Sequence, residues 1–279
     1  MIERGQRNWK LEDLDFGAIR KNLAAGDESL FYLLASASFV EILSELYTAN
    51  LIEHYRGDAD AARWLEETWV QEEVRHGQAL KRYVNAVWPE FDWEMSFSRF
   101  SEEYGRLCSM ENLEPSRALE MAARCVVETG TSTLYRCLYD YVEEPVLKQL
   151  LANIKADEVR HYAMFRRLFA EHNRTEGKGF ISVLHVVWKR LIEIRGEDGH
   201  IAFKHAYLGR GNNPEHLDRE WKKFRKGLRQ LMARHYPFNM AVEMLLSFVP
   251  LAHPLKKRLG TFLVRAARLF VSSRVEFTS

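Results

Sequence analysis

The sequence predicts an all-α protein built around a four-helix bundle, with additional helices following the bundle. Three observations support this fold class. Glycine and proline are sparse, at 15 and 7 of 279 residues, which suits long helices better than a β-sandwich or a barrel. Long segments repeat apolar residues at helical spacing, and capping residues or prolines separate those segments. Two of the separators are short, so the helices on either side of each are expected to form antiparallel hairpins.

The first predicted hairpin turns at Gly57 and Asp58. Asp27 is the expected N-cap of its first helix, which continues to the glycine of the turn. Asp58 is expected to cap the second helix, which runs to about Val87, two residues before a proline. A shorter helix over about 96–110 then leads to the second hairpin.

The second predicted hairpin turns at Glu144 and Pro145. Pro115 is expected in the first turn of its first helix, which reaches about Val142. Its second helix is expected to run to about His172. Each arm of the two hairpins then has roughly 28 residues and a length of roughly 42 Å.

The chain is expected to form a single domain over 1–279, with a core bundle over about 27–173 and extra helices over about 180–275. No segment is long and polar enough to serve as a linker between two domains. The extra helices are expected at about 180–195, 199–208, 214–235, 238–249 and 254–274.

Composition and charge narrow the functional class. The chain is 47% apolar with a net charge of only +1, which is typical of a globular protein and argues against a nucleic-acid binder. Cys108, Cys125 and Cys137 match neither a disulfide framework nor a zinc-finger spacing, so we expect reduced thiols. We see no signal peptide and no uninterrupted apolar run of the roughly 20 residues that a membrane span needs. We therefore expect a cytoplasmic protein without stable membrane insertion.

Two short motifs of the form E-x-x-H lie on the second and fourth predicted core helices. Glu73 and His76 form the first motif, and Glu158 and His161 form the second, 85 positions later. Residues three positions apart lie on one face of a helix, so a carboxylate and an imidazole can bind the same cation. One such motif arises often by chance. Two copies, one in each hairpin, predict that they face each other across a metal site.

Two further carboxylates are expected from the remaining core helices. Glu128 and Glu158 lie at nearly equal distances from the turn between their helices, so an antiparallel pair places them at one height. Glu41 and Glu73 match in the same way, 32 positions apart against 30 for the other pair. Glu45 lies on the same face but would be about 5 Å out of level, so we prefer Glu41 as the ligand and Glu45 as its neighbour.

The competing interpretation is a solvated helix face, because Glu–His and Glu–Arg pairs at helical spacing commonly lie on surfaces. Here the acids and histidines share their faces with apolar residues such as Trp69 and Phe165. Burying them without a cation would be very costly. Oxygen and imidazole donors without thiolate favour iron or manganese over structural zinc. The predicted metal ligands are Glu41, Glu73, His76, Glu128, Glu158 and His161.

Four charged residues beside the motifs are candidate neighbours of the ligands. Glu72 and Asp157 each precede a ligand glutamate and could accept the N–H of a histidine from the opposite hairpin, which would fix its tautomer. Arg75 and Arg160 lie two positions after the ligand glutamates and could pair with these carboxylates. The alternative for all four is ordinary surface charge.

These motifs resemble a known family. The segment 69–77 reads W-x-x-E-E-x-R-H-G and is similar to a segment of the plant-type acyl-carrier-protein desaturases, which are ferritin-like non-haem di-iron oxidases. The segment 156–161, A-D-E-x-R-H, resembles their second motif. Glu128 and Thr131 are similar to their E-x-x-T, in which the threonine lies beside the irons. The resemblance covers about 31–169, is poor around the first core helix, and does not extend beyond the bundle.

The resemblance implies a ferritin-like fold that binds two iron ions, with manganese as an alternative. It implies an enzyme that uses dioxygen and an external electron donor, such as a ferredoxin, to attack an unactivated C–H bond. The expected reaction is desaturation or hydroxylation of an acyl chain carried by acyl-carrier protein, with a small-molecule substrate as the alternative. It also implies a homodimer, and Thr131 as the catalytic proton relay. The alternative for Thr131 is a packing role.

Other functions stay open. The related di-iron arylamine N-oxygenases carry an extra histidine one turn before the last E-x-x-H, where this chain has Ile154. A radical-generating subunit of the ribonucleotide reductase type could use Tyr135 or Tyr162. An iron-storing ferroxidase needs only the four-helix bundle, whereas this chain continues for about 100 residues beyond it.

The last predicted helix is basic and amphipathic. Three interpretations compete for it: a helix packed on the bundle with a solvated basic rim, a docking site for an acidic acyl-carrier protein, and a contact with an anionic membrane surface. Its cations are Lys256, Lys257, Arg258, Arg265, Arg268 and Arg274, opposed only by Glu276, and its apolar residues are Leu255, Leu259, Phe262, Leu263, Leu269 and Phe270.

Overall fold

The protein is all-helical, as predicted. A computed structural model describes residues 8–193 and 197–276, and this described part of the chain is 84% helix with no β-strand. Short 3-10 turns occupy the N-terminal segment. The eleven α-helices, labelled here in chain order, are α1 Glu28–His54, α2 Ala59–Trp64, α3 Val70–Val87, α4 Trp93–Tyr104, α5 Arg117–Tyr141, α6 Pro145–Glu176, α7 Phe180–Glu193, α8 Glu197–Gly209, α9 Leu217–His235, α10 Phe238–Phe248 and α11 His253–Glu276.

The caps of the first hairpin confirm the sequence prediction. The Asp27 carboxylate accepts a hydrogen bond from the backbone N–H of Leu30 at 2.9 Å, and Asp58 accepts one from Ala61 at 3.0 Å. These bonds satisfy N–H groups that have no partner within the helix.

The boundaries of the second hairpin differ from the prediction at two points. Ser116, not Pro115, caps α5 and accepts a hydrogen bond from the backbone N–H of Leu119, so the proline lies outside the helix. Helix α6 continues four residues beyond His172 and ends at Gly177, which adopts a left-handed φ of 60°. Glycine tolerates that conformation without the steric penalty that other residues meet, which explains why the helix stops there.

Three other predicted helices also change. The second helix of the first hairpin is interrupted by a π-helical turn over Leu65–Trp69, between α2 and α3. Such wide turns are often found at functional sites, and this one comes directly before the first E-x-x-H. The connecting helix lies at Trp93–Tyr104 rather than 96–110. The helix predicted over 180–195 is described to Glu193, and its last two positions lie outside the described residues.

The core consists of two apolar layers with a polar level between them. One layer is built around Phe31, Phe39 and Leu150, and the other around Leu65 and Phe165. Helices α1, α5 and α6 contribute to both layers and pass through the intervening level. Helix α3 contributes to the first layer only, and α2 with the π-helical turn contributes to the second. The later helices cover the outside of the bundle, with α7 and α10 against α5, and α8 against α1 and α4. The thiols of Cys125 and Cys137 are buried in the core, and the three cysteines form no disulfide within the described residues.

Helix α1 is long and apolar enough to cross a membrane by length and composition alone, and it is the one described helix that passes this test. Most of its apolar window is buried inside the protein, and Glu41 lies on its inward face. Core helices of globular proteins meet the same criterion, so the test alone does not assign α1 to a membrane.

A close helix contact beside the polar level depends on Gly77. A Cβ atom added there would lie 2.8 Å from the backbone nitrogen of Ile42 and 2.5 Å from its side chain. A backbone atom cannot move without displacing α1. The glycine therefore lets α3 approach α1 one residue from Glu41.

Gly77→Ala is expected to destabilise the protein by about 1–3 kcal/mol, because overpacking at this contact outweighs the better helix propensity of alanine. Urea unfolding measures the effect. Gly130→Ala is the matched control, since nothing lies within 4 Å of a Cβ added at this position in α5. We expect the control to be neutral or slightly stabilising. Equal stability changes in the two variants would contradict the close-contact explanation.

Candidate metal centre

The polar level of the bundle contains all six predicted metal ligands. Each of these residues is at most 7% exposed. They come from α1, α3, α5 and α6, so every core helix contributes. The solvated-face interpretation does not hold for these residues, because acids and histidines on a solvated face would be exposed.

The six side chains form two groups that could each hold a metal ion. Within each group the ligand atoms all lie within 4.8 Å of one another. Two carboxylates shared by two cation positions have the arrangement expected of bridging ligands. The first group contains Glu41 and His76, the second contains Glu128 and His161, and Glu73 and Glu158 belong to both.

The two histidines present the same ring nitrogen to the cluster. His76 Nδ1 lies 3.1 Å from Glu158 Oε1, and His161 Nδ1 lies 2.9 Å from Glu73 Oε1. Each imidazole therefore faces the glutamate of the opposite E-x-x-H motif. This pairing across the bundle gives the centre an approximate two-fold symmetry.

Five buried polar atoms in this cluster have no hydrogen-bond partner within the described residues: Glu73 Oε1, His76 Nδ1, Glu128 Oε2, Glu158 Oε1 and His161 Nδ1. Leaving several such atoms unsatisfied in one place is costly, and metal coordination would satisfy them all. The four glutamates would carry four negative charges when ionised, which two divalent cations would neutralise. The donor set therefore fits a two-metal site.

The outer nitrogen of each imidazole is held by an acid from the opposite hairpin, as predicted. His76 Nε2 lies 2.9 Å from Asp157 Oδ2, and His161 Nε2 lies 2.8 Å from Glu72 Oε2. A carboxylate at Nε2 favours the tautomer that leaves Nδ1 free to bind a metal. The sequence alternative of surface charge is wrong for both acids, because both are buried.

Two arginines balance the charge of these acids. Arg75 lies 3.1 Å from Asp157 and 3.2 Å from Glu72, and Arg160 pairs with Asp157 and lies 3.7 Å from Glu72. Both arginines are only partly exposed. The two acids and two arginines join α3 to α6 on the histidine side of the centre.

Trp9 completes this side of the centre, and the sequence did not reveal it. Its indole Nε1 donates to Asp157 Oδ2 at 2.9 Å, and its ring stacks on His76 with 6.1 Å between centroids. The Arg75 guanidinium lies 5.0 Å from the centre of the same ring. In the sequence, only the presence of a single tryptophan in a polar N-terminal segment hints that this residue is buried against the bundle. An open cleft of about 540 Å³, lined partly by Trp9, Arg75 and Gln71, lies outside this contact.

On the other side of the centre, three side chains donate hydrogen bonds to candidate ligands. The Thr131 hydroxyl donates to Glu158, and the Tyr135 hydroxyl donates to Glu41. Trp69 Nε1 donates to Glu128 Oε1 at 3.1 Å. All three donors therefore act on the carboxylates, whereas Glu72 and Asp157 act on the imidazoles.

Other residues named from the sequence lie outside the cluster. Glu45 is exposed, belongs to neither ligand group, and lines a small open cavity of about 170 Å³ together with Ala49, Ile52 and Val70. The Tyr162 hydroxyl donates to the backbone carbonyl of Met244 in α10 and points away from the centre. Ile154 is fully buried one turn before Glu158 and offers no metal ligand.

The electrostatics of the cluster follow from burial and from its own charges. Burial and the neighbouring carboxylates raise the pKa of Glu73 and of Glu128 well above the usual range. Burial opposes ionisation of Glu158 too, but the close contact with His76 and the charges of both imidazoles hold its pKa below the usual value.

Both histidines favour the protonated form when no metal competes for Nδ1. Burial would lower the pKa of His76, yet its contacts with Asp157 and Glu158 raise it. Burial likewise opposes the charge on His161, but the carboxylate of Glu72 raises its pKa. Protons thus occupy part of the site that metal ions would take, so metal uptake should release protons.

Comparison of the chain with protein-family models, with curated proteins and with solved structures gives no match.

Proposed function

We propose that the chain is a ferritin-like di-iron oxidoreductase that uses dioxygen and an external electron donor to attack an unactivated C–H bond. The observation that carries the proposal is the pair of buried ligand groups that share Glu73 and Glu158. Two E-x-x-H helices plus one glutamate from each of two other helices is the ligand pattern of di-iron and di-manganese carboxylate proteins.

In this proposal Glu41 and His76 would hold one metal ion, Glu128 and His161 would hold the other, and Glu73 and Glu158 would serve both. When bound, two ferrous ions would supply the electrons and open coordination positions that activate dioxygen. Iron and manganese suit this oxygen and imidazole donor set better than a structural zinc site does.

The protein's own contribution is to orient the ligands and exclude water. Glu72 and Asp157 hold both imidazoles in one tautomer, and Arg75 and Arg160 neutralise these acids. The apolar layers above and below the centre keep bulk water away from it. A dry and rigid site favours reaction with the substrate over loss of oxidising equivalents to solvent.

The proposed reaction is desaturation or hydroxylation of an acyl chain, and the resemblance of 69–77 and 156–161 to the acyl-carrier-protein desaturases supports it. An open depression on the surface, lined by Glu45, Thr48, Ala49, Ile52 and Val70, provides some aliphatic surface, and its Val70 lies one helical turn before Glu73. An acyl-carrier protein or a small molecule would bring the substrate, and a ferredoxin-type protein the electrons. A cytoplasmic homodimer is part of the same proposal.

Thr131 acts through Glu158 in this proposal and is a positioning residue. Its hydroxyl donates to the bridging carboxylate and so restricts the orientations that the carboxylate can adopt. It also holds a proton beside a ligand oxygen, where a proton is needed when dioxygen is reduced.

Thr131→Val is expected to bind as much iron as the wild type but to change the absorption spectrum of the iron-loaded protein after exposure to oxygen and the lifetime of the absorption changes that follow mixing. The reason is that Glu158 loses its hydrogen bond while the packed volume stays nearly the same. Stopped-flow absorption after mixing with oxygen measures both properties. Thr129→Val is the control, because Thr129 Oγ1 donates only to the backbone of Cys125 at 2.7 Å. A wild-type spectrum and lifetime in Thr131→Val would leave Thr131 with a packing role.

A radical-generating oxidase is the second candidate function, favoured by one contact. Tyr135 is buried and its hydroxyl donates to Glu41, so its phenol could lose an electron to the centre and a proton to that carboxylate. The outward direction of Tyr162 leaves Tyr135 as the better candidate.

One experiment separates these functions from iron storage. The protein is loaded anaerobically with ferrous iron, mixed with oxygen and followed by absorption and by electron paramagnetic resonance. If the absorption signal that forms after mixing with oxygen decays faster when an acyl substrate is added, the result supports the oxygenase. A persistent organic radical that is lost in Tyr135→Phe supports the radical function. Continued uptake of iron beyond two ions per chain would identify a ferroxidase and overturn both.

A further inference from the structure

The most exposed apolar side chains of the protein are concentrated on two helices outside the core bundle. Of the 17 large hydrophobic residues that are exposed in the described part of the chain, nine lie on α7 and α11. The six with the greatest exposure, from 54% to 81%, all belong to these two helices. Such a concentration is unusual for a surface in contact with water alone.

Helix α11 packs on the body of the protein through one face and leaves another face open. A Cβ at Gly260 would touch Leu246 and Val242 of α10, so this position faces inward. Lys256 points the same way and donates to the backbone carbonyl of Ser247 at 2.9 Å. Gly260 and Lys256 therefore lie on the inward face of α11, and the half-buried Leu259 and Leu263 are less exposed than the residues of the outward face.

The outward face of α11 carries a stripe of large apolar residues. Leu255, Phe262 and Leu269 recur every seven positions, which places them along one line of a helix, and each is more than half exposed. The packed-helix interpretation of the sequence accounts for the inward face of α11, but it leaves this stripe without a role.

Cations lie beside the apolar stripe, with Arg258 and Arg265 about 40–60° around the helix from Phe262. Lys257, Arg258 and Arg265 are exposed, and no carboxylate lies within ion-pair distance of these three among the residues that the structure describes. The sequence from 253 to 275 contains six Lys or Arg and no acidic residue, although the whole chain has a net charge of only +1. The side chains of Arg274 and Glu276 lie outside the described residues. The positive charge is thus a local property of this helix.

We propose that α11 binds the surface of an anionic lipid bilayer. Leu255, Phe262 and Leu269 enter the boundary between headgroups and acyl chains, while Arg258 and Arg265 reach the lipid phosphates. The helix has 24 residues, a length of roughly 36 Å, and lies along the surface rather than across it. The proposal does not depend on the metal centre.

Charge favours a bilayer over a second copy of the chain. Pairing two α11 stripes would bring two sets of arginines together and oppose dimerisation through this face. Helix α7 exposes Ile181, Leu184, Trp188 and Ile192 without a comparable set of cations, so the argument applies to α11 alone. Bilayers with anionic lipids match both the apolar stripe and its positive flank.

The test is co-sedimentation of the wild-type protein with vesicles of phosphatidylcholine alone and of phosphatidylcholine with phosphatidylglycerol in equal parts. We expect binding to the anionic vesicles only, and weaker binding as salt is added. Phe262→Ser/Leu269→Ser is expected to weaken it by about tenfold or more. Arg258→Glu/Arg265→Glu is expected to do the same, because each reversal removes an attraction and adds a repulsion.

Lys222→Glu/Arg234→Glu is the charge-matched control. Both residues are exposed on α9, which has no exposed large apolar residue, so vesicle binding should stay at the wild-type level. All variants change exposed positions, and circular dichroism with a thermal melt checks that they fold. Equal binding to neutral and anionic vesicles, or an equal loss in the control, would overturn the proposal.

Two other results would replace the bilayer with another occupant. If vesicles do not bind and Phe262→Ser/Leu269→Ser turns a dimer into a monomer in sedimentation velocity, the stripe is a subunit interface. If vesicles do not bind but acyl-carrier protein does, with loss in Arg258→Glu/Arg265→Glu, the helix docks an acidic protein. Either result overturns membrane binding.

Discussion

Glu158→Ala is expected to remove both metal ions from the protein, whereas Glu128→Ala is expected to remove one. Glu158 belongs to both ligand groups, and Glu128 belongs to only one of them. Losing a bridging carboxylate also leaves His76 without the nearest acid facing its Nδ1. Anaerobic loading with ferrous iron, desalting and metal analysis should therefore give two ions per chain for the wild type and close to none for Glu158→Ala.

Glu45→Ala is the control for this series, because Glu45 lies on α1, one turn from Glu41, and is exposed. It should keep both ions, while Glu41→Ala should lose the ion that it shares with His76. A greater loss of metal in Glu45→Ala than in Glu41→Ala would show that the ligand on α1 has been assigned wrongly. Similar losses in Glu128→Ala and Glu158→Ala would contradict the bridging role.

The metal-free protein is expected to become less stable as the pH rises from about 4.5 towards 8. The pKa values of Glu73 and Glu128 are raised in the folded state, so the folded protein binds more protons than the unfolded chain. The contribution of these two carboxyl groups to the free energy of unfolding is fully present below the ordinary carboxyl pKa. It is lost as the pH rises through the raised pKa values. The raised pKa values of His76 and His161 act in the same direction above the ordinary histidine value.

Below about pH 4.5 the stability of the metal-free protein is expected to fall as the pH falls. The pKa of Asp157 is depressed because its hydrogen bond and Coulombic attraction to His76 outweigh burial, so its contribution is present above the ordinary value and lost as the pH falls. The metal-free protein should thus be most stable between these two regimes. A shift of one unit in one group corresponds to about 1.4 kcal/mol, so several shifted groups give a measurable slope.

Urea unfolding of the metal-free and iron-loaded protein across this pH range measures the slopes. The loaded protein should show the opposite trend, because bound ligands must be deprotonated and metal binding tightens with pH. Glu73→Gln/Glu128→Gln is the matched variant; without metal, it should have a flatter profile and exceed the wild type in stability near neutral pH. A metal-free wild type whose stability is constant or rises with pH would contradict the electrostatic account.

The part of the site within the two hairpins could be predicted because short turns and a fixed helical rise determine which residues of two antiparallel helices lie at the same height. Counting residues from each turn placed Glu41 level with Glu73, and the structure brings the two into one ligand group while Glu45 remains exposed. The same regularity predicted that each histidine would contact an acid of the other hairpin, as His76 contacts Asp157 and His161 contacts Glu72. Local capping chemistry predicted where most of the core helices begin.

Long-range contacts between unlike segments could not be predicted. Trp9 and Asp157 are 148 positions apart, and no periodicity connects a single tryptophan to a distant helix. The π-helical turn before Val70 depends on how the bundle packs rather than on a local residue preference. The exposed stripe of α11 is visible as a pattern in the sequence, but only its packing on α10 shows which face remains open.

The ion pairs between α3 and α6 have a consequence for the exchange of small molecules with the centre. Separating these helices would expose Asp157 and Glu72 and break their contacts with both imidazoles. Parting α1 from α5 would instead break the hydrogen bond between Tyr135 and Glu41, beside the half-buried Thr131. If the centre takes up metal ions as proposed, a path between α1 and α5 would break fewer of these contacts than a path between α3 and α6. Opening there disturbs the carboxylate of Glu41 and leaves the contacts of Glu72 and Asp157 with both imidazoles in place.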